Sequence, residues 1–283
     1  LHILVISDGK AGHENQSRGL AEAMARLRPA EIHTLRMDAG KGFLARFKAA
    51  AAGAGKLPSP DYVLAAGHAT QAVALWIAWK YGARSICLMK PGLPVSWFHR
   101  CVCPRHDFIG KRIPANVITT EGALNRVLPG TGEKSGRLFL IGGPSKTHGW
   151  DGVALTAQIK DIAGEGAWQA ADSRRTPEGF LDELKKELPG LEIFPHRQTP
   201  PGWLAGQLSA LETVWVTEDS VSMIYEALSG GAKVGVLDMP RLRPDARVIR
   251  GLEALRAEGF FDPENPPRPL AEADRCAALL LGE

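Results

Sequence analysis

The feature that most constrains this chain is an alternation, repeated along its length, between short continuous apolar runs and longer segments with helical spacing. Runs such as HILVIS at 2–7, YVLAA at 62–66 and RLFLI at 137–141 lack the every-other-residue polarity of a strand with one wet face. Unbroken apolarity over about five residues suits a strand covered on both faces, and helical segments between such strands supply the covers. The chain is therefore expected to be α/β, with parallel sheets. In the first half strands are expected at 2–7, 31–37, 62–66, 85–89 and 100–103, with helices at 13–28, 42–52 and 70–81. In the second half strands fall at 137–141, 167–171, 191–194, 213–216 and 233–237. Its helices fall at 152–163, 177–188 and 220–229, and a closing helix covers 270–281.

A chain of 283 residues exceeds one ordinary core, so two domains are expected. The stretch LPGTGEKSG at 128–136 has Gly, Pro and charge without apolar period, and it reads as the linker. The domains are then 1–130 and 131–283, with the last helix a candidate to pack back on the first. Composition excludes several classes. Charged residues at 23% and a net charge of +3, without a basic stripe, argue against nucleic acid as a partner. Four cysteines, with Cys101 and Cys103 spaced as in a strand, make neither a disulfide framework nor a zinc knuckle. No apolar run reaches the length of a membrane span and the start carries no basic leader, so the cytoplasm is the expected compartment. Trp97 and Phe98, beside His99 and Arg100, have two readings: core packing, or peripheral contact with the inner membrane.

Five strand-to-loop junctions carry chemistry. In doubly wound sheets ligands bind beyond the carboxyl ends of strands. DGKAGHENQ at 8–16 places Gly9, Lys10, Gly12 and His13 at such an end, where the glycines admit a ligand's close approach and His13 can serve as a base. The bland reading is a tight turn with a surface histidine. AAGHAT at 65–70 repeats the design with Gly67 and His68, and without a third ligand the two histidines make no metal site. IGGPSKTHG at 141–149 lacks the GxxxxGK[ST] spacing of a triphosphatase, yet backbone amides at Gly142, Gly143 and Ser145 can form an anion nest; a plain turn is the alternative. ADSRRTPEGF at 171–180 offers Arg174 and Arg175 beside Thr176 as cap and Pro177 as first helical residue, either a phosphate grip or a capped helix with solvated arginines.

The fifth junction is VTEDSVSMIYEAL at 216–228, in which Asp219 or Ser220 caps a helix whose N-terminus favours an anion. Ser220, Met223 and Glu226 lie near one face, with Glu226 about 9 Å along the axis from Ser220. That is the span from a diphosphate to the ribose of one nucleotide, and a carboxylate can accept both hydroxyls of a ribose. For the anion to sit there, Asp219 has to turn inward.

Together GGPSK, SRRTP and TEDSVSMIYEAL, with DGKAGHENQ, resemble the bacterial branch of the Elm ("elongated mitochondria") mitochondrial-fission family, over essentially the whole chain. TEDSVSMIYEAL is also similar to the donor-sugar motif of GT-B glycosyltransferases of the MurG type. The resemblance implies two Rossmann-like domains facing across a cleft, with the nucleotide on the second. It puts Glu226 at the ribose, Ser220 and Met223 near the diphosphate, Gly143 and Ser145 along the pyrophosphate, and His13 as the base. The first loop departs from the GGTGGH of MurG-type enzymes. The expected activity is inverting, metal-independent transfer from a nucleotide-diphosphate sugar, UDP-linked in the MurG-type case. The sugar nucleotide is substrate, no cofactor is implied, and the acceptor is unassigned, with a lipid or cell-envelope glycan as candidates. Two alternatives remain open: nucleotide-sugar epimerisation, and a non-catalytic recruitment protein like the plant members of the family.

Overall fold

The computed structural model describes residues 1–37, 42–200, 202–263 and 265–282. The chain divides into two compact units, Leu1–Arg126 with Ala271–Glu283, and Val127–Leu270.

The first unit runs β1 (His2–Ser7), α1 (Ala11–Leu27), β2 (Glu31–Arg36), α2 (Phe43–Ala54), β3 (Tyr62–Ala66), α3 (His68–Tyr81), β4 (Arg84–Leu88), β5 (Arg100–Pro104) and β6 (Val117–Thr120). Its sheet has the order β2-β1-β3-β4-β5-β6 with parallel pairing throughout. The chain reverses direction across the sheet between β1 and β3, so a crevice is expected beyond the carboxyl ends of those two strands. Strands β1 and β3 are apolar on both faces because helices cover both: Ile3 and Val5 pack with Leu20 and Met24 of α1, while Leu4 and Ile6 pack with Val73 and Ile77 of α3. Helix α9 (Glu272–Leu281) joins the first of these cores through Cys276, Ala277 and Leu280. It is held there by the Arg26–Asp274 ion pair at 2.5 Å and by a hydrogen bond from the Glu121 amide to Glu272.

Phe98 is buried beside Cys87, Cys101 and Phe108, whereas Trp97 is 61% exposed. The two rings therefore do not form one surface patch, and the core reading holds for Phe98. All four cysteines are free and buried. Burial pushes the Cys276 thiol up to about 12 and holds Cys103 well above the ordinary thiol range, so neither supplies a thiolate near neutrality.

The second unit runs β7 (Arg137–Ile141), α4 (Gly152–Ala163), β8 (Gln169–Asp172), α5 (Phe180–Glu187), β9 (Glu192–Phe194), α6 (Trp203–Ala210), β10 (Thr213–Thr217), α7 (Val221–Gly230), β11 (Lys233–Leu237) and α8 (Arg247–Ala257). Its sheet is parallel, in the order β11-β10-β7-β8-β9. This is a Rossmann-like half, and its direction of winding reverses between β7 and β10. The stretch 128–136, read as a linker, is stitched onto this unit. Lys134 Nζ donates to the carbonyls of Ser209 and Gly230, and the Gly130 amide donates to Ser209 O. Burial lowers the pKa of that lysine. Among the described residues no helix is long and apolar enough to cross a membrane.

Candidate functional site

The two winding reversals gather the sequence-marked residues into two clusters, one on each unit.

In the first unit the carboxyl ends of β1 and β3 bring His13 against Gly67. A Cβ built on Gly67 would lie 2.4 Å from the imidazole, and its backbone has φ +88°, so this position admits glycine for two independent reasons. His13 stands in the first turn of α1 with Nδ1 at 2.9 Å and 3.1 Å from the two carboxylate oxygens of Asp8. The Asp8 side chain is only 8% exposed and that of His13 is 22% exposed. A buried carboxylate on Nδ1 fixes the tautomer that leaves Nε2 as acceptor, the orienting role an aspartate plays toward a histidine base. Asp8 also accepts from the Lys10 amide, and the Lys10 ammonium lies 3.7 Å away in solvent. Gly9 and Gly12 are exposed with open space where a side chain would be. His68 lies on the same edge, exposed, with its ring against Gly92.

In the second unit the carboxyl ends of β7 and β10 meet the β8–α5 turn. Asp219 follows β10 and turns fully inward, its side chain 0% exposed. Its Oδ2 receives Arg175 Nη2 at 2.6 Å, the Gly143 amide at 3.1 Å and the Ser220 hydroxyl at 3.0 Å. Asp219 is thus a clamp between loops rather than a helix cap, and Ser220, the N-cap residue of α7, makes no side-chain capping bond. Arg175 Nη2 also donates to Ser220 Oγ and Nη1 to Gly143 O, while 42% of the side chain faces solvent.

Thr176 is not a helix cap either. Its hydroxyl donates to the carbonyls at the end of β7, Ile141 and Gly142, and accepts from the Ser173 amide. The segment 173–179 is a turn, and α5 begins three residues later than the Thr-Pro signal predicts, with Gly179 before it at φ +84°. Tertiary bonds to β7 take the hydroxyl that a cap would use.

The anion nest expected at GGPSK is not open. The Gly142 amide donates to Thr217 Oγ1, that of Gly143 to Asp219, and that of Ser145 to His148 O. Ser145 Oγ accepts from the Thr147 and His148 amides and so closes its own turn. The glycines are needed for packing: a Cβ on Gly143 would fall 2.0 Å from Arg175 O, and one on Gly142 would fall 2.1 Å from Ser220 Oγ. Gly143→Ala is accordingly expected to destabilise the second unit by about 1–3 kcal/mol through overpacking. A chemical denaturation midpoint that matches the parent chain would refute this.

Helix α7 keeps the amides of Val221, Ser222 and Met223 at its start, which no helical carbonyl can accept. Met223 and Glu226 are half-buried on the face that begins at Ser220. Arg174 is exposed at the same end of the sheet, and no hydrogen bond or ion pair holds it among the described residues. The other acidic residue of the motif, Glu218, is withdrawn. Its side chain is 2% exposed, forked by Arg241 Nε at 3.1 Å and 3.0 Å and by Nη2, with His148 Nε2 at 3.3 Å. That carboxylate holds the Arg241 guanidinium above its usual range. Neither acidic residue therefore presents an uncompensated charge at the start of α7.

Two features went unread in the sequence. Asp8 was visible only as the first residue of a Gly-rich loop, although a carboxylate five residues before a histidine at a strand end is the signal. Asp172, at the end of β8, accepts from the amide and Nδ1 of His196, a pair separated by 24 residues that no local spacing reveals.

Solved structures with a similar fold span the whole chain. UDP-GlcNAc 2-epimerase from Neisseria meningitidis, bound to UDP-GlcNAc, is 13% identical with a TM-score of 0.59 and full coverage of both chains. The Methanocaldococcus jannaschii UDP-GlcNAc 2-epimerase is 12% identical, with a TM-score of 0.58 and full coverage of both chains. Acinetobacter baumannii MurG is 12% identical, with a TM-score of 0.52, over 99% of this chain and 90% of that one. At such identities the likeness is one of fold, two Rossmann-like domains as in GT-B proteins. No curated protein matches the sequence. The family model of Mitochondrial fission ELM1 matches residues 11–283, and the chain belongs to that family.

Proposed function

We propose that this protein binds a nucleotide-diphosphate sugar on its second unit and transfers the sugar with inversion, using His13 as base. The observation that carries the reading is the start of α7. Asp219 is turned into Arg175 and Gly143, Glu218 into Arg241, and three amides that no helical carbonyl accepts remain beside Arg175. A helix N-terminus bears roughly half a positive charge, and an anion there needs no metal. Glu226, about one and two-thirds turns along the same helix, accepts the ribose hydroxyls.

The nucleoside diphosphate leaves as the bond from the anomeric carbon to the phosphate oxygen breaks. The acceptor oxygen forms the new bond, and its proton goes to His13 Nε2, aimed by Asp8 on the other ring nitrogen. Titration calorimetry of the full chain with UDP, ADP, GDP and CDP, and with UDP-sugars, tests the donor site. One nucleotide is expected to bind saturably. Glu226→Ala is expected to weaken it about 10- to 100-fold, since hydrogen bonds to a charged group are worth about 1.5–3 kcal/mol. Absence of binding by every nucleotide to the folded chain would sink the reading.

A second reading, epimerisation of the same donor, gains from Asp8. That reaction needs acid–base groups on both sides of the sugar, and beyond His13 and His68 the sequence alone offered no convincing carboxylate pair; the Asp8–His13 contact supplies one carboxylate beside the histidine. Product analysis by NMR separates the two, because epimerisation gives a changed sugar without any acceptor.

A further inference from the structure

At the opposite, amino-terminal edge of the first sheet, three side chains converge that the proposed activity does not use. Strand β2 is an edge strand paired with β1, and the register sets His2 directly opposite Glu31. Glu31 and His33 are two residues apart on β2 and share a face, the one onto which the in-register His2 projects. His2 Nδ1 lies 3.6 Å from Glu31 Oε2, and His33 Nε2 lies 3.6 Å from the same oxygen. The three ligand atoms all fall within 4.8 Å of one another.

Those separations are too long for hydrogen bonds and close to the edge of a metal tetrahedron. Ligands at about 2.0–2.1 Å from Zn2+ stand about 3.3 Å apart. Both ring nitrogens are buried atoms without a hydrogen-bond partner. Two imidazole nitrogens and a carboxylate oxygen thus approach a common point with no hydrogen bond between them, an arrangement that a cation at that point would stabilise. Access is open, because the Glu31 side chain is 70% exposed and the His2 side chain 39% exposed.

From this geometry we infer that His2, Glu31 and His33 form a site for a single divalent transition-metal ion of the Zn2+ type, with solvent in the remaining position. Two imidazoles and a carboxylate suit Zn2+ over Mg2+ or Ca2+, which take oxygen ligands. The ion clips the edge strand β2 to β1. It stands a strand's length, about 20 Å, from Asp8 and His13, so its role is structural and separate from the proposed transfer.

The test is titration of the untagged, metal-stripped full chain with Zn2+, and with Co2+ followed by visible absorption. One equivalent is expected to bind, with Co2+ giving the intense bands of a four- or five-coordinate ion and Zn2+ raising the thermal midpoint. Loss of a partner beyond the ligand shell already costs about 10- to 100-fold in metal affinity, so His33→Ala and Glu31→Gln are each expected to weaken binding at least about a hundredfold. Glu31→Gln alters an exposed side chain and keeps the fold, so it decides the matter if His33→Ala folds poorly. Failure to bind either ion, or binding that survives Glu31→Gln undiminished, overturns the proposal. The second result would place the bound ion away from Glu31.

Discussion

Arg241→Ala is expected to destabilise the second unit by about 3 kcal/mol, at the lower end of the range for breaking a buried ion pair. Glu218 sits at the end of β10 with a side chain 2% exposed, and Arg241 forks it with both Nε and Nη2. Removing the guanidinium takes the bidentate partner from a carboxylate that the parent fold buries. His148 Nε2, at 3.3 Å, is the other basic group on this carboxylate among the described residues, and it helps only when it carries a proton, which is why the lower end applies. Arg241 also reaches Glu253 on α8, but that carboxylate is 51% exposed and its pair adds little. Arg241→Lys is expected to recover only part of the loss, because an ammonium cannot make the bidentate fork. The reading is denaturant midpoint, with the hydrogen-bonded amides of α7 from Ile224 onward expected to lose hydrogen-exchange protection first. A loss under about 1 kcal/mol for Arg241→Ala would show that Glu218 is solvated or protonated rather than held by this pair.

His13→Ala is expected to lower the rate of sugar transfer by about 10²- to 10⁴-fold, the usual contribution of a positioned general base. Nucleotide affinity, which the proposal assigns to the second unit, should stay within about twofold. Asp8→Asn should reduce the rate as well, since an amide can present its NH2 to Nδ1 and stabilise the wrong tautomer. The two variants should not be additive, because Asp8 acts through His13. The measurement is single-turnover transfer beside calorimetric affinity for the same donor. A His13→Ala chain that transfers at the parent rate would remove the histidine from the chemistry while leaving the nucleotide site standing.

Much of the fold was legible because parallel strands buried on both faces are written as unbroken apolar runs. Strands β1, β3, β7 and β11 have the expected limits, residue for residue. What escaped was weakly written. Strand β6, VITT, is a four-residue edge strand with a mostly half-buried pattern. Helix α6, WLAGQLSA, is eight residues long with a glycine inside, and α8 follows a Pro- and Arg-rich stretch that reads as loop.

The chemistry divides along the same physical line. Order along the chain determined that this is an α/β protein of two Rossmann-like halves, and that charged and glycine-rich segments stand at the carboxyl ends of its strands. Periodicity and strand-end position are local properties, and local properties survive in one dimension. Which group uses which hydrogen bond is not local. The sequence offered the amides of Gly142, Gly143 and Ser145 to a phosphate, and the folded chain gives them to Thr217, Asp219 and His148. It offered Thr176 to a helix, and β7 takes it instead. Asp8 became the partner of His13, and His2 the neighbour of His33, only when helix and strand brought them within a few ångströms. Each buried donor and acceptor must find a partner, and that demand is met across the sheet by residues far apart in the chain.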